Sequence, residues 1–71
     1  MVNIWDYANQ LPRVKLVTAS GEPFAGKVIA VLDALEADDE QDNMVVEADS
    51  GEIRIFHPDE IESIEVLHDR R

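Results

Sequence analysis

Residues 13–34 read RVKLVTASGEPFAGKVIAVLDA. Charged and apolar side chains alternate through Arg13, Val14, Lys15 and Leu16, the two-residue period of a half-buried strand. Ser20-Gly21-Glu22-Pro23 then turns the chain. A long second strand is expected over 24–34, with Gly26 in its interior. A glycine there marks a bulge or a sharp bend, as at a barrel corner. Val28, Ala30 and Leu32 fall on one face of this strand and Ile29 and Val31 on the other. An apolar strand of this kind lends both faces to a core, or leaves one for an interface.

Downstream, residues 35–43 are polar and acidic and read as a loop. A hairpin is expected from strands over 44–49 and 52–57 joined at Ser50-Gly51. In its second strand, Ile53 and Ile55 share one face and Phe56 takes the other. Pro58-Asp59-Glu60 interrupts for one turn, and residues 61–67 form a fifth strand. Upstream, Asn3 is a good N-cap, and Ile4, Tyr7, Ala8 and Leu11 make one apolar stripe ended by Pro12. A helix over 3–11 is expected, too short to persist unless docked on the strands. The fold class is therefore mostly β: an N-terminal helix on a five-stranded, strongly bent antiparallel barrel. It forms one domain over 1–71, with the barrel over 13–67 and a polar tail over 68–71.

Composition narrows the function. The chain has 71 residues, 45% of them apolar, and carries 16 acidic against 6 basic side chains, a formal charge of -10. That balance argues against sequence-independent binding of nucleic acid or anionic membrane, which needs a basic footprint. Without cysteine, disulfides, thiolate zinc sites and cysteine nucleophiles are excluded. The longest apolar run, Val28 to Leu32, is far short of a membrane span. No basic leader with an apolar core opens the sequence, so a cytoplasmic location is expected. A domain this small sits near the margin of stability, which favours burial against copies of itself.

Candidate chemistry is sparse. Ser20, Ser50 and Ser63 have no neighbouring base, so no enzyme activity is expected. His57 and His68 are the only histidines, and their spacing demands no metal; no cofactor is expected. The acidic segment carries Glu36, Asp38, Asp39, Glu40 and Asp42 but lacks the glycine and terminal glutamate of a calcium loop. It reads as a solvated loop or as a docking surface for a basic partner. Trp5 and Tyr7 are expected to pack rather than stack on bases. Arg13, Lys15 and Lys27 make a small basic strip or pair with neighbouring carboxylates.

Val14-x-Leu16, Gly21, Phe24-x-Gly26-x-Val28 and Asn43-Met44-Val45-Val46, followed by Phe56-His57-Pro58-Asp59-Glu60-Ile61-x-x-Ile64, resemble the two motifs of the Sm and Sm-like (LSm) family. The resemblance covers residues 3–67, and strand patterning of this kind is shared with SH3-like barrels. It departs where His57-Pro58 stands in place of the family's Arg-Gly and where Asp33 is offset by one residue. The resemblance implies a homo-oligomeric ring in which the fourth strand of one subunit pairs with the fifth of the next. It implies a nucleotide-binding site at Asp33, Asn43 and His57, and hence an association with RNA. Independently of the family, the fourth and fifth strands flank a turn that leaves their outer edges free to pair. Ile53, Ile55, Phe56, Ile64 and Val66 are the expected interface residues.

Two functions follow. One is a non-catalytic assembly module whose like-charged subunits associate better as salt rises. The other is an acidic monomeric or dimeric adaptor, or nucleic-acid mimic, whose hold on a basic protein weakens with salt.

Overall fold

A computed structural model of the chain describes residues 3–67, and the expected tail over 68–71, with His68, lies outside them. Five strands, β1 (Arg13–Thr18), β2 (Pro23–Leu32), β3 (Asn43–Glu47), β4 (Ile53–Phe56) and β5 (Ile61–Leu67), form one antiparallel sheet. Their order is β4-β3-β2-β1-β5. The mostly β expectation is met, and the strands fall close to where alternation placed them. β5 follows β4 after one 3-10 turn, Pro58–Glu60, yet crosses to pair with β1. The Ala19 N–H donates to the Glu60 carbonyl at 2.8 Å and fixes that crossing. The sheet is thus open, with β4 and β5 as its two edges, rather than closed by a pairing between them.

One face carries the core. Val14 and Leu16 of β1, Val28 of β2, Met44 and Val46 of β3, Phe56 of β4 and Ile61 of β5 are buried together with Ile4. The Phe24 and Phe56 rings meet at 5.6 Å between centroids, and the Arg54 guanidinium lies 5.1 Å from the first and 5.4 Å from the second. Such tilted rings with a cation above them stabilise beyond their buried area.

The two apolar faces of β2 are reconciled by a register shift. Val28 stands opposite Val46, but Ala30 stands opposite Val45 and Val31 opposite Met44, so Ile29 is an extra residue. The bulge returns Val31 to the inner face with Val28. It lies three residues beyond Gly26, where the sequence led us to expect it. Gly26 serves another purpose: a Cβ there would overlap the carbonyl oxygen of Glu47.

The N-terminal segment departs most from expectation. Instead of a helix over 3–11 there is a single 3-10 turn, Ile4–Tyr7, capped by the Asn3 side chain, which accepts from the Trp5 N–H at 3.1 Å. Leu11 takes a left-handed φ of 50°, which with Pro12 reverses the chain onto β2. The Val28 N–H donates to the Pro12 carbonyl at 2.9 Å and Lys27 Nζ to the Leu11 carbonyl at 3.0 Å, so strand contacts outcompete helix continuation. Ile4 alone of the apolar stripe is fully buried; Tyr7 and Leu11 pack against the core from its margin. Arg13 pairs with Asp49 at 3.0 Å and Lys15 stands opposite Glu65, so the small basic strip is dispersed among partners. Among the described residues no helix is long and apolar enough to cross a membrane.

Candidate functional site

The end of the sheet where β2 leaves, β3 enters and β4 stops gathers most of the polar side chains singled out in the sequence. Leu32 stands opposite Asn43 and Met44 opposite Phe56, so Asn43 and His57 occupy neighbouring strand ends. Between β2 and β3 the chain makes a short helix, α1 (Ala34–Ala37), and then residues 38–42 return across this end.

His57 is held from two sides. Its backbone N–H donates to Glu60 Oε1 at 2.9 Å, and its carbonyl accepts from the Glu60 N–H at 2.9 Å, which closes the 3-10 turn. Its Nε2 lies 2.8 Å from Asp39 Oδ2, and Nδ1 lies 3.8 Å from Glu60 Oε1. The hydrogen bond to Asp39 raises the imidazole pKa; partial burial opposes this, and the charges of Asp39, Glu60 and Asp59 reinforce it. Reciprocally, the bond to His57 lowers the Asp39 pKa, aided by the Glu40 N–H and by the Asn43 side chain. Both groups are therefore charged together over a widened pH range, wider than either would hold alone. An open cleft of about 510 Å³ lies alongside, lined by Ala19, Ser20, Gln41, His57, Asp59 and Glu60.

Asn43 is 5% exposed, and its Oδ1 has no hydrogen-bond partner among the described residues. An unsatisfied buried acceptor costs about 1–3 kcal/mol, so it stands out in a domain this small. The structure thus brings Asn43 and His57 together around Asp39.

Asp33 is engaged elsewhere. It is the N-cap of α1: its Oδ1 accepts from the Glu36 N–H at 2.7 Å while Glu36 Oε1 accepts from the Asp33 N–H at 3.3 Å. This reciprocal capping box is written in the sequence as Asp33-Ala34-Leu35-Glu36 and straddles the expected boundary between the strand over 24–34 and the loop over 35–43; the strand ends at Leu32 because Asp33 caps α1 instead. Asp33→Ala is expected to lower stability by about 1 kcal/mol in urea unfolding, whereas Asp33→Asn, which keeps the cap acceptor, should lose only a fraction of that.

The acidic segment is more ordered than a solvated loop. Glu36, Asp38 and Glu40 face solvent. Asp42 bridges two elements: its Oδ1 accepts from the Ala34 N–H and its Oδ2 from Trp5 Nε1, each at 2.8 Å. Trp5 is accordingly 41% exposed, a hydrogen-bonding side chain on the surface rather than the packing bulk expected of it. Gln41 Nε2 donates to Asp59 Oδ2 at 3.4 Å. Among the described residues no three His, Asp or Glu side chains converge on a metal position.

The proposed interface residues divide by burial. Ile53 and Ile55 are 55% and 59% exposed on edge strand β4. Ile64 and Val66 of β5 are half-buried against the core, and Phe56 lies within it. Phe56 therefore supports the edge from behind, and Ile53 and Ile55 are the β4 side chains open to a partner. Comparison of the chain with protein-family models, curated proteins and solved structures finds no match.

Proposed function

We propose that this protein is a non-catalytic, cytoplasmic binding and assembly module of the Sm-like kind. Its copies join by strand addition, with β4 of one subunit pairing with β5 of the next, so that each curled sheet completes an open barrel through its neighbour. One observation carries this reading: the strand order leaves β4 and β5 as the two unpaired edges of a single sheet. Free edges of opposite position, one bearing exposed Ile53 and Ile55, are mutually consistent templates for head-to-tail pairing. Closing the chain of subunits into a ring removes every edge.

Within this reading the polar end of the sheet is the ligand site, with the Asn43 amide and the His57 ring positioned for a base of single-stranded RNA. The buried Asn43 Oδ1, which lacks a donor among the described residues, supports a ligand N–H at that position. Sedimentation velocity at tens of micromolar protein is expected to show a discrete multi-subunit species that tightens as salt rises. A strict monomer at every salt would overturn the assembly. Fluorescence anisotropy with a labelled oligouridylate tests the ligand, and no change in wild type at any pH from about 6 to 9 would count against RNA.

The net charge of -10 favours a second reading, an acidic adaptor for a basic protein surface. Its association would weaken with added salt, opposite to self-assembly.

A further inference from the structure

The return segment 38–42 does more than connect α1 to β3. Asp38 turns it with a left-handed φ of 53°, and its backbone N–H reaches the carbonyls of Ala34 and Leu35. From there Asp39 bonds to His57, Gln41 to Asp59 and Asp42 to Trp5. These three side-chain contacts reach residues separated from the segment by 18, 18 and 37 positions. They fasten a strongly acidic strip over the ends of β3 and β4. We propose that residues 38–42 form a strap that closes over the His57–Asn43 end of the sheet through Asp39 and opens when the His57–Asp39 ion pair is lost.

The strap occupies its own binding site. Asp39 takes the His57 Nε2 and lies against the Asn43 side chain, the two groups assigned above to a ligand. A carboxylate there also repels an incoming phosphate. The inference rests on the assignment of this end of the sheet as the ligand site, but the strap itself can be measured without any ligand.

Among the described residues, the charged groups facing His57 are Asp39 from the strap and Glu60 and Asp59 from the 3-10 turn, all acidic. The sign of the pH dependence follows. His57 is raised above its ordinary value of 6.5, so its contribution is complete below that value and disappears as pH rises through the raised one. Asp39 is lowered below 3.8, so its contribution is present above that value and disappears as pH falls through the lowered one. The strap is therefore closed between the two midpoints and loosens on the alkaline side of the His57 titration.

Trp5 is the only tryptophan, and its indole N–H is bonded to Asp42 of the strap. Its indole resonance in two-dimensional NMR reports strap position directly. In wild type this resonance is expected to shift with the same midpoint as the His57 ring protons. Asp39→Asn should lower the His57 midpoint and abolish the coupled shift at Trp5; His57→Gln should also leave Trp5 flat. Both variants alter partly exposed polar groups, and amide dispersion checks that each is folded. An indole resonance that stays flat while wild-type His57 titrates would overturn the strap, whatever RNA does. With the oligouridylate probe, Asp39→Asn is expected to bind about 10-fold tighter than wild type. Coupled titration with no RNA bound by either protein would support the strap and overturn only the ligand assignment.

Discussion

Gly26→Ala is expected to remove about 2–3 kcal/mol of stability, a loss out of proportion to one added methyl group. The backbone at Gly26 lies inside β2, opposite Val14, with no positive φ that would itself demand glycine. The constraint is proximity. A Cβ at this position would overlap the Glu47 carbonyl oxygen and would sit 2.8 Å from its carbon and 3.0 Å from Ala48 Cα. All three are backbone atoms at the end of β3, so no side-chain rotation relieves the clash. Relief requires separating β2 from β3 next to the Lys27–Glu47 and Val28–Val46 pairs, behind which Val46 and Val28 are fully buried. Overpacking of this kind typically costs about 1–3 kcal/mol and occasionally more. The whole domain, at about 0.05–0.15 kcal/mol per residue, has only a few times that to lose. Gly51→Asn is the matched control. Its φ of 95° favours glycine, but no atom lies within 4 Å of its added Cβ. It should cost about 1 kcal/mol or less, since asparagine tolerates positive φ better than other residues. Urea unfolding of the two variants separates the explanations. Equal losses at Gly26 and Gly51 would refute a packing role for Gly26.

The same residue shows what a sequence reveals and what it withholds. An interior glycine in an apolar run signals irregularity, and irregularity is present. Its kind depends on what crosses from β3, twenty-one positions away, which no local pattern encodes. The bulge at Ile29 was hidden for a related reason: an extra residue alters neither composition nor alternation by enough to be seen, only the partner opposite. The strands themselves were legible because Val14, Leu16, Met44 and Val46 repeat at the period that burial imposes. The helix over 3–11 failed because an apolar stripe is necessary for docking but not sufficient for helix. Once Pro12 and Lys27 tied the segment to β2, one turn placed Ile4 in the core. α1 escaped notice because four residues are too few to show periodicity, although its capping box was in plain sight. At the polar end, Asn43 and His57 came from motif resemblance. Asp39 could not have been chosen from five acidic neighbours, since only the return of the strap brings it to His57.

Ile53→Lys/Ile55→Lys is expected to abolish self-association while leaving the monomer folded. Both side chains are more than half exposed, at 55% and 59%, so the substitutions should change monomer stability by no more than about 0.5 kcal/mol each. Their cost falls on the contact. In a β4–β5 pairing each isoleucine is covered by the neighbour, and burying it contributes about 1.5–3 kcal/mol relative to exposure. Only the 55% and 59% of the two side chains still exposed remains to be buried, so losing both, at about 1.4 kcal/mol per factor of ten, weakens each contact by at least about 10-fold. Charge makes the test sharper. The two lysines reduce a net charge of -10 by two, which lessens repulsion between subunits. If repulsion set the affinity, the variant would assemble better than wild type; if edge burial sets it, the variant is monomeric despite its more favourable charge. Leu35→Lys provides the charge control, because Leu35 is 91% exposed on α1 and belongs to neither edge strand. It should assemble at least as well as wild type. Raising salt from about 0.1 to 1 M shortens the screening length from about 10 to 3 Å. Wild type and Leu35→Lys should therefore tighten, and the double variant should remain monomeric throughout. Sedimentation velocity on the three proteins reads all of this in one series. Assembly of the double variant at wild-type strength would take β4 out of the interface and with it the physical case for a ring.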